Sequence, residues 1–164
     1  MALAAAACAT VPVAQLPQLS GVPAAFEASG RLAVRLGDRS DIAKLRWTRH
    51  RDSDVWVISS PLGNEVARLE SGAGGATLTR AGAASESAVS FRELTEKVLG
   101  VALDPDAVAR WLHGDTPAAS STGWKVTIDE TQRAGAVDLA RRITAVRGDV
   151  VVRLVVDEYR ALEE

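Results

Sequence analysis

The side chains best able to do chemistry in this chain are few and scattered. His50 and His113 are its only histidines, and neither has a second His, a Cys or a carboxylate at the spacing of a metal site. His113 closes a helical pattern, where a cation favours the helix dipole. Asp104 and Asp106 stand close together, but acidic residues are favoured at a helix start and need no catalytic reason. No Gly-x-Ser-x-Gly elbow occurs. The run Ser71-Gly72-Ala73-Gly74-Gly75 lacks the Lys-Ser/Thr of a phosphate loop and opens no helix, so it reads as a surface loop. Cys8, the single cysteine, has no histidine near it to make it a nucleophile. The sequence therefore offers no catalytic constellation, no cofactor motif and no metal site.

Cys8 has a different chemistry open to it. It follows Ala4-Ala5-Ala6-Ala7, and small residues ahead of a cysteine suit the narrow pocket of a lipoprotein signal peptidase. The stretch from Ala9 to Gly21 carries two prolines and no charge, the composition of an extended tether. A secretory signal also needs a positive n-region and a longer apolar stretch, and neither precedes Cys8. Either the chain starts inside its signal segment, or Cys8 is a chance residue in an alanine-rich tail. Elsewhere no apolar stretch approaches the roughly 20 residues of a membrane span. A net charge of -2, with the basic residues scattered, argues against a nucleic-acid partner.

The elements that would position any site are mostly strands. Gly30-Arg31-Leu32-Ala33-Val34-Arg35 alternates polar and apolar, stops at Gly37-Asp38, and alternation resumes over Ile42 to Thr48, which predicts an antiparallel hairpin. Val55-Trp56-Val57-Ile58 is a third strand, apolar on both faces, so its inward parity is open. Pro61-Leu62-Gly63-Asn64 is a turn. Glu65 to Glu70 alternates, Ala76 to Arg80 is a short strand, and Ala88 and Val89 fit one more.

The middle is helical. Ser90 with Glu93 forms a capping box, Phe91, Leu94, Val98 and Leu99 follow at helical spacing, and Gly100 ends the helix. Asp104 caps a second helix, Pro105 suits its first position, and Val108, Trp111 and Leu112 form its stripe. Both are too short to stand alone and must lie on the sheet. Trp124 to Asp129 is again a strand. Ala140 to Val146 fits strand or helix, and the turn-like Arg147-Gly148-Asp149 before the β-branched run Val150 to Val156 favours strand. Strands, two helices, then strands, without βαβ alternation, give a mainly β member of the α+β class with an antiparallel sheet. Residues 1–22 read as leader and tether, and 23–164 as one domain.

Two apolar features stand out. Trp47, Trp56, Trp111 and Trp124 are spread over strands and a helix, and either pack a core or line a ligand cavity. Leu62, between proline and glycine, sits at a loop tip, either as an ordinary exposed leucine or as a finger that touches a membrane.

In their order and spacing, these residues resemble the LolB family. The resemblance is carried by Phe26-Glu-Ala-Ser-Gly-Arg-Leu-Ala-Val, Leu45-Arg-Trp47, Ser60-Pro-Leu-Gly63, Trp111-Leu-His-Gly114 in the second helix, Gly123-Trp124-Lys-Val and Val156-Asp-Glu-Tyr159. It implies a curved antiparallel sheet, an incomplete barrel whose open side is covered by the helices. It implies an outer-membrane protein, lipid-anchored through Cys8 on the periplasmic face, that accepts acylated lipoprotein cargo from a LolA-type carrier and inserts it into the membrane's inner leaflet. It gives Pro61, Leu62 and Gly63 the role of a membrane-insertion loop. For the acyl-chain cavity the expected residues are Leu32, Val34, Leu45, Trp47, Leu69, Leu94, Val98, Trp111 and Leu154, in a protein expected to be monomeric and not an enzyme. The alternatives are a soluble LolA-like carrier and a structural outer-membrane adaptor that binds no lipid.

Overall fold

The computed structural model describes residues 21–116 and 122–163. Cys8 and most of the expected tether lie outside them. Nine strands form one sheet: β1 (Phe26–Leu36), β2 (Arg39–His50), β3 (Ser53–Ser59), β4 (Glu65–Gly72), β5 (Gly75–Thr79), β6 (Glu86–Ala88), β7 (Lys125–Ala134), β8 (Val137–Arg147) and β9 (Val150–Ala161). Their order is β6-β5-β4-β3-β2-β1-β9-β8-β7, antiparallel throughout. The first and last strands pair at the centre, and the sheet stays open between β6 and β7. It is an incomplete barrel.

The alternation expected for β1 and β2 sets their register. Leu32 and Val34 of β1, with Leu45 and Trp47 of β2, turn inward, while Arg31, Arg35, Lys44 and Arg46 turn outward. Leu36 and Arg39 pair across Gly37-Asp38, and Arg147 and Val150 pair across Gly148-Asp149. In both turns the glycine comes first with positive φ (55° and 60°) and the aspartate does not, the pattern of a II′ hairpin that matches the strand twist.

One stretch differs from the sequence expectation, and one whose period fitted two structures takes the favoured one. The loop read at Ser71–Gly75 shrinks to Ala73-Gly74, because Ser71 pairs with Ala76 and Gly72 with Gly75. Glycines leave nothing to obstruct the ladder, so pairing runs through them. The ambiguous stretch 140–146 is strand, paired on both sides by β7 and β9, with Leu139, Ile143 and Ala145 inward.

Helices α1 (Phe91–Leu99) and α2 (Pro105–Leu112) fill the chain between the two sheet edges and lie across its inner face, α1 over β4 to β6 and α2 over β8. Ser90 accepts from the Glu93 amide (3.3 Å), and Gly100 closes α1 with φ of 74°. Asp104 accepts from the Asp106 amide (2.8 Å) at the start of α2. The buried Thr95 hydroxyl accepts from the Leu103 amide (2.8 Å), which ties the connection between the helices back to α1.

Gly30 holds the centre together for a geometric reason. Between Ser29 and Gly30 the β1–β9 register shifts, leaving Asp157 as the extra residue of a bulge. There β9 approaches so closely that a Cβ on Gly30 would lie 1.9 Å from the Val155 carbonyl oxygen. Gly30→Ala is expected to separate β1 from β9 and cost about 1–3 kcal/mol, by analogy with overpacking, as a lower urea midpoint. An unchanged midpoint would show that the bulge relaxes freely.

Candidate functional site

The inner face of the sheet and the undersides of the helices bury one continuous apolar cluster. An edge-to-face aromatic chain crosses it, Phe26 to Trp47 (4.8 Å between centroids), Trp47 to Trp56 (5.4 Å) and Trp56 to Phe91 (5.2 Å). The Trp56 indole N–H is buried there without a hydrogen-bond partner. Two spaces remain. One lies under α2, among Leu32, Leu45, Trp56, Trp111, Ile143 and Leu154, with no polar lining and about 10 Å³ free, at most one water's worth. The other is an open cleft of about 300 Å³ between the β1–β3 end of the sheet and the last turn of α1, bordered by Leu32, Val34, Ile58, Pro61, Val98 and Leu99. Leu32 belongs to both, so the cleft leads toward the closed space.

Beside the cleft stands the Ser60–Asn64 loop. The Gly63 amide donates to the Ser60 carbonyl (2.8 Å), with Pro61 and Leu62 as the central turn residues. Leu62 has no positive φ, so the turn is of type I rather than II. The Asn64 amide reaches the Ser60 hydroxyl (3.3 Å), and the Ser60 amide donates to the Asn64 carbonyl (2.8 Å). These bonds hold the loop in shape while Leu62 stays 90 % exposed. Its exposure is built rather than incidental.

At the opposite end the polar groups do structural work. His113 is buried, its Nδ1 2.7 Å from the Ala109 carbonyl and its Nε2 2.8 Å from the Tyr159 hydroxyl. A carbonyl only accepts, so Nδ1 carries the proton, and the Tyr159 O–H donates to Nε2. Burial pushes the imidazole below its usual value against the pull of the Ala109 carbonyl, and nearby Arg49 adds to the lowering. His113 is thus a neutral pin between α2 and β9, not the cation on a helix dipole that its position suggested. Burial likewise raises Tyr159. The Trp47 indole donates to Asp54 (2.7 Å), Arg49 lies 3.4 Å from the same carboxylate, and Arg49 also bonds Asp106 at the start of α2. Burial raises Asp54 despite both partners.

All nine residues expected at the cavity face the interior, Val98 half-buried and the rest buried. Leu32, Val34, Leu45, Val98, Trp111 and Leu154 border one of the two spaces. Trp47, Leu69 and Leu94 are packed in the core and border neither. Trp56 and Ile58 settle the parity of β3, facing inward while Val57 is buried on the outer face. Leu103, Val108, Ile143 and Val152 also line the inner space. Leu103 lies in the interhelical connection, and Ile143 in the stretch whose period fitted two structures, so neither carried a clear sequence signal.

The inner space is lined by apolar side chains alone, and the class that the fold defines is an unclosed antiparallel sheet roofed by two short helices. A family model described as outer membrane lipoprotein LolB matches residues 24–159, and the chain belongs to that family. It is 27 % identical over 173 residues to the outer-membrane lipoprotein LolB of Azoarcus sp. strain BH72, across 96 % of this chain and 90 % of that one. Identity to the outer-membrane lipoprotein LolB of Alkalilimnicola ehrlichii is 27 % over 151 residues, across 82 % and 76 % of the two chains. For that of Chromobacterium violaceum it is 28 % over 152 residues, across 86 % and 83 %.

The His113 pin has a pH signature. With its native pKa lowered, the unfolded chain binds the extra proton below about pH 6.5, so stability contributed by the neutral ring is complete above that and falls as pH drops. His113→Gln is expected to cost about 1–3 kcal/mol near neutrality. The gap should narrow in acid, because only the wild type pays the protonation penalty. A gap independent of pH in urea titrations would show that burial does not disfavour the imidazolium.

Proposed function

We propose that this chain is an outer-membrane lipoprotein receptor, which takes acylated lipoproteins from a LolA-type periplasmic carrier and passes them into the outer membrane. Family membership supports the role. The structural observation that carries it is the mainly apolar path from the Leu62 loop, past Val98 and Leu32, to a space with no polar lining, with Arg39, Asp41, Ser59 and Ser60 also bordering the outer cleft. Each methylene of an acyl chain gains about 0.8 kcal/mol on leaving water. Transfer between apolar sites keeps that gain throughout and needs no covalent chemistry, so no residue needs to act as a nucleophile or base.

The inner space as it stands is far too small for an acyl chain, so cargo must displace a helix. α2 is fixed at both ends by polar bonds, Arg49 to Asp106 and His113 to Tyr159. α1 meets the sheet through Phe91, Leu94 and surface pairs such as Lys97 with Glu86. α1 is the element that moves, and it borders the cleft. The nine residues named from the sequence, with Trp56, Leu103 and Ile143, would line the opened cavity. Leu62, held out by Pro61 and Gly63, would enter the inner leaflet while the cavity empties. In this reading residues 1–22 are leader and tether, Cys8 bears the lipid anchor, and 23–164 work as a monomer.

A closed interior also suits a structural adaptor without lipid cargo. Binding of acylated against deacylated lipoprotein separates the two: the receptor prefers the acylated form strongly, and equal binding would sink the reading. Acyl groups on Cys8 by mass spectrometry would exclude a soluble carrier, and an unmodified Cys8 in the mature native protein would favour one. Leu62→Glu is expected to slow lipoprotein insertion into liposomes at least about tenfold, as a charge is costly to bury in lipid. Acceptance of cargo from the carrier should continue. Insertion at the wild-type rate would remove Leu62 from the mechanism.

A further inference from the structure

On the outer face of the sheet, against the Leu62 loop, lies a hollow of about 500 Å³ whose lining includes Arg31, Lys44, Arg46, Ser59 and Gly63. Register explains the grouping. Ser59 pairs with Lys44 and Lys44 with Arg31, so one row runs across β3, β2 and β1. In the next row Ala33 pairs with Ile42 on one side and Arg153 on the other. Arg35 lies two positions along β1 on the same face.

The charges in this region are distributed unevenly. Around it the arginines are neutralised: Arg31 by Asp157, Arg68 by Glu65, Arg142 by Glu130 and Arg160 by Glu27. Arg35, Lys44, Arg46 and Arg153 are exposed and have no carboxylate partner among the described residues. Of the bordering acids, Glu65 and Asp157 are paired with arginines, while Glu158, bonded to the neutral Ser29 hydroxyl, keeps its charge near Arg46. Asp38 and Asp149, at the hairpin tips next to Arg35, weaken its share and leave Lys44, Arg46 and Arg153 as the main charges. Other exposed cations without a carboxylate partner, Arg92, Arg110, Lys125 and Arg141, are spread over the helices, β7 and β8, while these four stand together on one face. They surround Ile42, 61 % exposed, next to the bare Leu62. Apolar tips with cations set behind them are the pattern of a surface that rests on a lipid layer.

We propose that this face of β1, β2 and β9 binds lipid headgroups, with Lys44, Arg46 and Arg153 on the phosphates of an anionic bilayer while Leu62 and Ile42 enter its apolar margin. The orientation rests on reading Leu62 as the membrane finger; the charge pattern does not.

The test uses the full chain with Cys8→Ala, so that no acyl anchor dominates, and vesicles of phosphatidylethanolamine with or without phosphatidylglycerol. Wild type is expected to bind the anionic vesicles roughly tenfold more tightly at low salt, and high salt should abolish the difference. Lys44→Ser with Arg46→Ser and Arg153→Ser should lose that preference and keep its binding to neutral vesicles. The single changes Lys44→Gln and Arg153→Gln should each lose part of it, should the triple variant fold poorly. Leu62→Glu should weaken binding to both vesicle types and keep the preference. If Leu62→Glu has no effect while the triple variant does, the finger reading fails and the headgroup surface stands. If the triple variant keeps the preference, the proposal is overturned. It is equally overturned if that variant binds vesicles normally but receives cargo slowly from the carrier, since the face would then meet a protein.

Discussion

An unclosed sheet has an inner face that must be covered, and this chain has two short helices with which to cover it. Neither helix is long enough to be stable alone. Each exists because its apolar stripe finds the sheet, and the sheet is dry because the helices lie on it. That mutual dependence fixes the rest. The covering segment must leave one edge of the sheet and return at the other, so both helices lie between β6 and β7 in the sequence. Most strands alternate, because the face turned from the helices meets water, and β3, buried on both faces at Val57, is the exception. The interior is dominated by apolar side chains, and buried polar groups such as Thr95, His113 and Asp54 hold hydrogen-bond partners there.

The cover is attached unequally, and this asymmetry is the reason α1 is the element proposed to move. The polar bonds of α2 have geometry and would have to be broken or rebuilt if it moved, leaving the buried His113 without its Tyr159 partner. The contacts of α1 with the sheet are mainly apolar and can be exchanged for contacts with an acyl chain at little cost. Hydrophobic surface is indifferent to which hydrocarbon covers it. Cargo therefore replaces contacts of the same kind as those it displaces, and a closed interior is compatible with an occupied one.

Much of this was legible in the sequence, for identifiable reasons. Alternation at Leu32, Val34, Leu45 and Trp47 placed these side chains inward because one face of the sheet is wet. Ser90, Gly100, Asp104 and Pro105 marked helix ends because those positions have unpaired backbone groups to satisfy. Trp56 escaped because both faces of β3 bury apolar side chains, Val57 lying under the outer surface. Ile143 escaped because its spacing suits two periods, and only pairing with strands on both sides decides. The state of the interior was not legible at all. A packed core and a collapsed cavity use the same residues, and only coordinates distinguish about 10 Å³ from an open chamber.

The open seam between β6 and β7 has a consequence for how the protein survives its own opening. An uncovered strand edge is a template for pairing with other chains, and a cover that lifts to admit cargo bares apolar surface close to that template. The two edges are blunted differently. β6 is three residues long, too short to seed an intermolecular sheet. β7 is ten residues long, but its ladder is broken on either side of Glu130 and its side chains include Asp129, Glu130 and Arg133. Irregularity and charge at that edge disfavour its pairing with another chain, whether the cover is seated or displaced.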